Sequence, residues 1–87
     1  MPEREAWLLI EDILEAAEKI RNYTYSMDMA DFLEDNKTQD AVIRNFEIIG
    51  EAVRRLPSSF KQEHSHIEWE FIIGFRNRVA HEYFGVD

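Results

Sequence analysis

Apolar residues recur at every third or fourth position in three stretches of the chain, and this spacing is the period of an amphipathic α-helix. It predicts helices over about residues 3 to 25, 38 to 56 and 67 to 84. Pro57 ends the second helix because proline cannot continue it, and Gly85 ends the third. The recurring positions are Ala6, Leu9, Ile10, Ile13, Ala16, Ala17, Ile20 and Tyr23 in the first helix, Val42, Phe46, Ile49, Val53 and Leu56 in the second, and Trp69, Ile72, Ile73, Arg76, Val79, Ala80, Tyr83 and Phe84 in the third.

The segment between the first two long helices is polar and broken. Within it, Asp28 is suited to cap a short helical piece that carries Met29, Phe32 and Leu33, because its carboxylate can accept hydrogen bonds from the first N–H groups of a helix. Residues 36 and 37 are expected to form the turn that follows. Thr38 or Asp40 would then cap the second long helix.

A connector is predicted over residues 57 to 66, where Ser58 or Ser59 can cap a turn that holds Phe60. The whole chain has only three glycines and two prolines, which are too few for the many tight turns of a β-sandwich or barrel. The pattern therefore predicts an all-α protein. It would be a small antiparallel up-and-down bundle of three long helices and one or two short ones, in a single domain over residues 1 to 87.

The length of 87 residues limits the size of the core. A domain this small buries about 60% of the surface that its unfolded chain exposes, so a thin core is expected, and association with a second copy would stabilise it. Gly50 lies in the middle of the second helix, where glycine costs about 1 kcal/mol relative to alanine. We expect its missing side chain to let another backbone approach closely, with a merely tolerated glycine as the alternative.

Charge and composition exclude several classes of protein. The formal net charge of −8 opposes broad electrostatic attraction to nucleic acid or to anionic membranes. Without cysteine the chain can form neither a disulfide nor a Cys-ligated zinc site. The longest apolar run, residues 6 to 10, is too short to span a bilayer and lacks the flanks of a signal peptide, so a cytoplasmic protein is expected. Five arginines nevertheless place positive charge in the C-terminal half: Arg44, Arg54, Arg55, Arg76 and Arg78.

The last helix carries the residues best suited to chemistry. Arg76 supplies a permanent planar cation, His81 can take or give a proton near neutral pH, and Tyr83 offers a phenolic oxygen. Because His81 lies five residues after Arg76, an ideal helix turns it about 140° away and about 7.5 Å along the axis. The two can meet at one phosphate only if the helix distorts or if two copies of the motif face each other. The residues alone leave open an ion pair of Arg76 with one of 18 acids and an ordinary surface or core role for His81.

Other polar residues are weaker candidates. His64 and His66 suggest a metal site, but at two residues' separation their rings would diverge on a helix, and no familiar ligand spacing accompanies them, so no metal is expected. Asn45 and Glu51 flank the mid-helix glycine, where a surface role is favoured over a polar role facing the histidine. No glycine-rich phosphate loop or serine elbow is present, and no cofactor is predicted.

Several segments of the chain together resemble a known family. Residues 40 to 52, 67 to 69 and 74 to 87 are similar, in order and spacing, to the HepT-like branch of the HEPN superfamily, and residues 10 to 16 are similar to that family's first helix. The resemblance covers nearly the whole chain. It implies an α-helical bundle that dimerises.

The resemblance also implies an activity. The Arg-x4-His motif of this family is associated with metal-independent endoribonuclease activity, and its two copies face each other across the dimer. Arg76 and His81 match the motif and are the expected catalytic residues. Asn77 matches the polar residue that often follows the arginine, and Tyr83 matches the tyrosine of the extended motif, so both are expected to support catalysis.

Finally, the resemblance implies partners. Family members are commonly toxins encoded with a nucleotidyltransferase antitoxin of the MNT type, which can transfer AMP to the tyrosine that Tyr83 matches and so silence the toxin. Relatives usually continue beyond the segment that ends at Asp87 into a further helix, so a short or truncated member is expected. The leading prediction is a homodimeric toxin that cleaves RNA. The alternative is a non-catalytic helical interaction subunit that binds a nucleotidyltransferase.

Overall fold

A computed structural model of the protein describes the backbone of residues 2 to 84 and the side chains of residues 4 to 82. This part of the chain contains helices and loops but no strand, which confirms the predicted all-α class. None of these helices combines the length and the apolar character that a membrane span requires. Gly85, which was expected to end the last helix, lies outside the described residues. The helices are α1 (Pro2–Thr24), α2 (Met29–Leu33), α3 (Asn36–Arg55), α4 (Ser58–Glu63) and α5 (Trp69–Phe84).

Helix α3 is the centre of the bundle, because it packs against both α1 and α5 and also contacts the short α2. Ala6 and Leu9 near the start of α1 share a core cluster with Ala52, Val53 and Leu56 near the end of α3, so these two helices run in opposite directions. The molecule measures 43 × 28 × 21 Å. Its radius of gyration of 14.2 Å exceeds the roughly 12 Å of a compact domain of this length, so the bundle is elongated.

The core is thin, as the chain length predicted. Val53 is the largest fully buried side chain in the described region, and four of the ten buried apolar residues are alanines. Because alanine removes little apolar area from water, burial contributes less stability here than in a core of larger side chains. The ten residues are Ala6, Leu9, Ala16, Val42, Ala52, Val53, Leu56, Phe60, Trp69 and Ala80.

Side-chain caps set where two of the helices begin. Asp28 caps α2 as predicted, in a reciprocal arrangement with Asp31. The predicted cap of α3 is wrong: α3 begins at residue 36, and its cap is Asp35 rather than Thr38 or Asp40. The Asp35 carboxylate accepts the Thr38 N–H at 3.0 Å and the Thr38 hydroxyl at 2.8 Å, so Thr38 is itself bound by the cap. The two residues expected to form a turn are therefore helical.

Residues 57 to 66 are more ordered than the connector that the sequence predicted. Residues 58 to 63 form α4, and its N-cap is Pro57, without a side-chain hydrogen bond from Ser58 or Ser59. Packing replaces the missing cap, since the ring of Phe60 lies edge-on to Trp7 with centroids 5.5 Å apart. A helix this short depends on such tertiary contacts more than on its own propensity.

Trp69 joins α4 to the start of α5. Its indole N–H lies 3.1 Å from the carbonyl oxygens of both Lys61, in the last turn of α4, and His64, its C-cap residue. These bonds satisfy a buried donor, which shares the two carbonyls with the backbone N–H groups of His64 and Ile67. They also explain why α5 begins at Trp69 rather than near Ile67, because the preceding residues form the turn that brings the indole under α4.

Gly50 is the point of close approach between α3 and α5. The residue is buried, and a Cβ atom built there would overlap with Cβ and Cγ of Arg76. The Cβ atom is fixed by the α5 backbone, so a change of rotamer could move Cγ but could not relieve the overlap with Cβ unless the helix moves. The prediction that this glycine admits a second helix is confirmed.

We predict that Gly50→Ala destabilises the protein although alanine is the better helix former. Overpacking against Arg76 should cost about 1 to 3 kcal/mol, more than the gain in helix propensity of about 1 kcal/mol. Urea denaturation measures the difference. Gly74→Ala is the matched control, since nothing lies within 4 Å of its Cβ position, and it should stabilise α5. If Gly50→Ala and Gly74→Ala changed the free energy of unfolding equally, the proposed overlap between position 50 and Arg76 would be contradicted.

We also predict a pH-dependent contribution of the α3 cap. The Thr38 backbone N–H, and after it the Thr38 hydroxyl, hold the pKa of Asp35 below its usual 3.8. A lowered pKa in the folded state means that this stabilisation is complete above pH 3.8 and is lost as pH falls through the folded value. Asp35→Asn keeps the acceptor oxygen but does not titrate. The difference in free energy of unfolding between wild type and this variant should therefore be constant near neutral pH and shrink below pH 3.8; a constant difference throughout would refute the assignment.

Candidate active site

Arg76 lies at the crossing of α3 and α5. Its Cβ sits directly over Gly50, and its side chain is only 21% exposed. Since the base of the side chain is fixed against α3, the guanidinium lies along the α3 surface rather than in open solvent.

Polar groups surround the guanidinium. Nη2 lies 3.1 Å from Oε2 of Glu51 and 3.9 Å from Oε2 of Glu47. Nη1 donates a hydrogen bond of 3.2 Å to Oδ1 of Asn77. The ion pair that the sequence left open as an alternative is therefore present, and it links α5 to α3.

The Nε atom of Arg76 is buried and has no hydrogen-bond partner among the described residues. An unsatisfied buried donor costs about 1 to 3 kcal/mol. The close packing over Gly50 brings this atom under cover, so the cost is a consequence of the same contact that positions the side chain.

A cavity of about 250 Å³ opens beside Arg76, between α1 and α3. Its wall contains three arginines and three acids, so its formal charges cancel, and it is not a strongly positive site. Arg76 is a partly buried cation in this wall. The lining residues are Leu9, Asp12, Arg44, Glu47, Ile48, Glu51, Ala52, Arg55 and Arg76.

His81 is exposed on α5. The helix is continuous from Trp69 to Phe84, so it does not distort between Arg76 and His81. The rotation of about 140° between the two positions therefore applies. Arg76 faces α3, whereas His81 points to another side of α5, and the structure does not bring the two together within one chain.

The other two expected site residues, Asn77 and Tyr83, also lie on α5. Asn77 is exposed and in direct contact with Arg76 through the hydrogen bond described above, so the structure does place these two together. Tyr83 lies in the last turn of α5, two residues after His81. Its side chain lies outside the described region.

The two histidines that suggested a metal site follow α4. His64 is the C-cap residue of that helix, and His66 lies two residues later in the turn after it. The ring centroids of His64 and His66 are 6.2 Å apart, and His64 packs against Phe60 at 4.6 Å. Among the residues that the structure describes, no three His, Cys, Asp or Glu side chains come together in a way that could hold a metal ion.

Three polar residues of α3 have positions or contacts that the sequence did not predict. The surface role favoured for Asn45 is wrong: it is 6% exposed, and its amide donates to the Ala41 carbonyl at 2.8 Å, which satisfies it within its own helix. Glu51 is half exposed but bound to Arg76, and Glu47 was not singled out. Both glutamates lie within one turn of Gly50, so the predicted close approach there was the signal that could have found them.

Several known proteins are similar to this chain. A relative from Thermococcus cleftensis, provisionally named ribonuclease HepT, is 49% identical over 78 residues, which cover 90% of this chain and 71% of the relative. One relative from Methanocaldococcus jannaschii, provisionally named an RNase, is 39% identical over 87 residues, 100% of this chain and 72% of the relative. Another provisionally named RNase, from Caldanaerobacter subterraneus, is 40% identical over 78 residues, 90% of this chain and 70% of the relative. No solved structure shows a significant match.

The family described as Ribonuclease HepT-like matches residues 13–87. This match covers most of the chain, including α3, α5 and the whole of the Arg-x4-His motif. The chain therefore belongs to the HepT-like ribonuclease family.

Proposed function

We propose that the protein is the toxin of a toxin–antitoxin pair and a metal-independent endoribonuclease, in which Arg76 and His81 act at a dimer interface. Family membership supports the ribonuclease activity. The assignment of residues rests on one observation: Arg76 carries a permanent charge, is anchored at a helix crossing, and keeps part of its guanidinium accessible beside a cavity. A planar cation in a fixed position is suited to stabilise the charge that develops on a reacting phosphate.

RNA supplies its own nucleophile, the 2′-OH. In the proposed reaction His81 accepts the 2′-OH proton as the 2′ oxygen bonds to phosphorus, and the bond between phosphorus and the 5′ oxygen breaks. Arg76 stabilises the additional negative charge on the phosphate oxygens. The partner's His81 donates the proton that the departing 5′ oxygen requires. The products are a 2′,3′-cyclic phosphate and a 5′-OH end.

The proposed reaction needs two chains, because the motif's arginine and histidine diverge on one regular helix. Helix α5 also carries apolar surface that a second copy could cover. Phe71 is 68% exposed and Phe75 is 41% exposed. Phe75 also lines a groove of about 320 Å³ together with Ile43 and Val79. His81 lies about 80° around the helix from Phe71 and about 15 Å farther along its axis. A second chain that packs along α5 from Phe71 toward its C-terminal end would therefore come close to His81.

We assign the antitoxin role to a nucleotidyltransferase of the MNT type that transfers AMP to Tyr83. The support is the match of Tyr83 to the extended family motif and its place in the last turn of α5, two residues after His81. AMP on this residue would add a bulky anion two residues along α5 from the proposed general base. Such a group would oppose RNA binding by sterics and by charge repulsion.

A second candidate function is a non-catalytic helical subunit that binds a nucleotidyltransferase. It is favoured by the ion pair between Arg76 and Glu51, which gives the arginine a structural role within its own chain. On this alternative Arg76 stabilises the crossing of α3 and α5, and RNA is not a substrate.

We predict that the purified protein cleaves RNA in the presence of a chelator and that the motif variants lose this activity. His81→Ala should lower kcat/KM by about 10²- to 10⁴-fold through loss of the general base. Arg76→Ala should lower it by about 10²- to 10³-fold through loss of charge stabilisation. The assay follows fragments of labelled RNA and tests their ends for 2′,3′-cyclic phosphate.

Two variants control for these changes. His66→Ala removes an exposed histidine outside the motif, and Arg21→Ala removes an arginine from the last turn of α1. Both should cleave like wild type. Arg76→Lys keeps the charge but loses the planar fork, so it should recover only part of the activity. A folded wild-type protein that is inert on varied RNAs, or motif variants that cleave as well as wild type, would favour the second candidate.

We predict that Phe71→Ser weakens the dimer and with it RNA cleavage. The side chain is 68% exposed within one chain, so its loss should hardly change the stability of the fold. Light scattering across a concentration series reports the mass. Leu14→Ser is the matched control, because Leu14 is 62% exposed on α1, away from the proposed interface. If both variants keep the mass of wild type, the dimer does not use this face of α5.

A further inference from the structure

Four charged residues follow one another along a single face of α3. Arg44, Glu47, Glu51 and Arg54 are spaced by three, four and three residues, which places them on neighbouring turns of one side of the helix. Arg44 lies 2.9 Å from Glu47, and Arg54 lies 3.8 Å from Glu51. Each glutamate therefore already has an arginine on its own helix.

Arg76 of α5 enters this row between the two glutamates, at 3.1 Å from Glu51 and 3.9 Å from Glu47. The position is a consequence of the glycine: Gly50 lies between Glu47 and Glu51 in sequence, and the base of the Arg76 side chain rests on it. The charges along the row then alternate, with three arginines and two glutamates. Because both glutamates are shared with other arginines, neither neutralises Arg76 by itself.

The contacts hold the guanidinium from two sides without using all of its donors. The two terminal nitrogens carry four N–H groups. Glu51 forms an ion pair with Nη2, and Asn77 accepts a hydrogen bond from Nη1, so these contacts do not use all four N–H groups. A phosphate oxygen could accept from the remaining ones without displacing Glu51.

We propose that Glu51 is a positioning residue of the ribonuclease site, which holds the guanidinium of Arg76 in the orientation that meets the phosphate. Glu47, at the longer distance, supports it more weakly. This inference rests on the proposed function. The competing hypothesis is that Glu51 competes with RNA for Arg76 and thereby inhibits the enzyme.

The test compares Glu51→Ala and Glu51→Gln with wild type in steady-state RNA cleavage. A misplaced catalytic group costs up to about 100-fold in rate, so Glu51→Ala should lower kcat by about 10- to 100-fold and change KM much less. Glu51→Gln should recover part of the loss, because its amide oxygen keeps an uncharged acceptor beside Nη2. Glu18→Ala removes the same charge from the exposed face of α1 and should behave like wild type.

Circular dichroism and urea denaturation establish that each variant is folded before its kinetics are compared. If folded Glu51→Ala keeps the kcat of wild type or exceeds it, the positioning role is overturned and competition with RNA is favoured. A fall in kcat that Glu18→Ala shares would also overturn it, because the effect would then come from net charge.

A second measurement does not depend on cleavage. The side-chain ¹⁵N signals of Arg76 report whether its guanidinium rotates freely, and Arg76→Lys identifies them by their absence. In wild type these N–H groups should be distinct, and in Glu51→Ala they should merge through faster rotation. If wild-type protein fails to cleave RNA, the proposed function fails, and these signals alone decide whether Glu51 holds Arg76. Signals that merge in Glu51→Ala support the contact. Signals that stay the same in Glu51→Ala overturn it.

Discussion

The contact between Gly50 and the base of Arg76 is the constraint on which the rest of this structure depends. A side chain at position 50 would overlap with Cβ and Cγ of Arg76, so the absence of one sets how closely α5 approaches α3. The same approach covers Nε of Arg76 and places Nη2 near two glutamates of α3. Helix packing and the geometry of the candidate site thus have one cause.

Because positive and negative charges balance around Arg76, this site can attract a phosphate only over short distances. A protein with a net charge of −8 does not attract RNA over a long range. Close to Arg76, however, arginines and glutamates alternate along α3, and the spacing between charges is shorter than the screening length of about 8 Å at physiological salt. Any affinity for a phosphate must therefore arise from contacts at short range, where the orientation of the guanidinium matters more than total charge.

The thin core links stability to association. Among the large apolar side chains, Phe71, Leu14 and Trp7 are more than half exposed, while alanines make up much of what is buried. A bundle of this kind gains more from covering its remaining apolar surface than one with a full core does. The proposed dimer would meet this need and would also allow an arginine and a histidine that diverge on one helix to act on one substrate.

The sequence by itself determined the three long helices, the Asp28 cap and the Arg76–His81 motif, because each depends on residues near one another in the chain. Helical period and local hydrogen bonds decide these features before any tertiary contact forms. The glycine at position 50 also indicated where another helix could approach α3, but not which residue would meet it. Even here a competing local choice led to error, since Asp35 rather than Thr38 caps α3. Tertiary structure alone decided that Arg76 is the residue over Gly50, that Glu51 and Glu47 flank its guanidinium, and that Trp69 secures α4. These contacts join residues of different helices. Which helical turns meet depends on how the helices cross and pack, and the period of a single helix carries no information about that crossing.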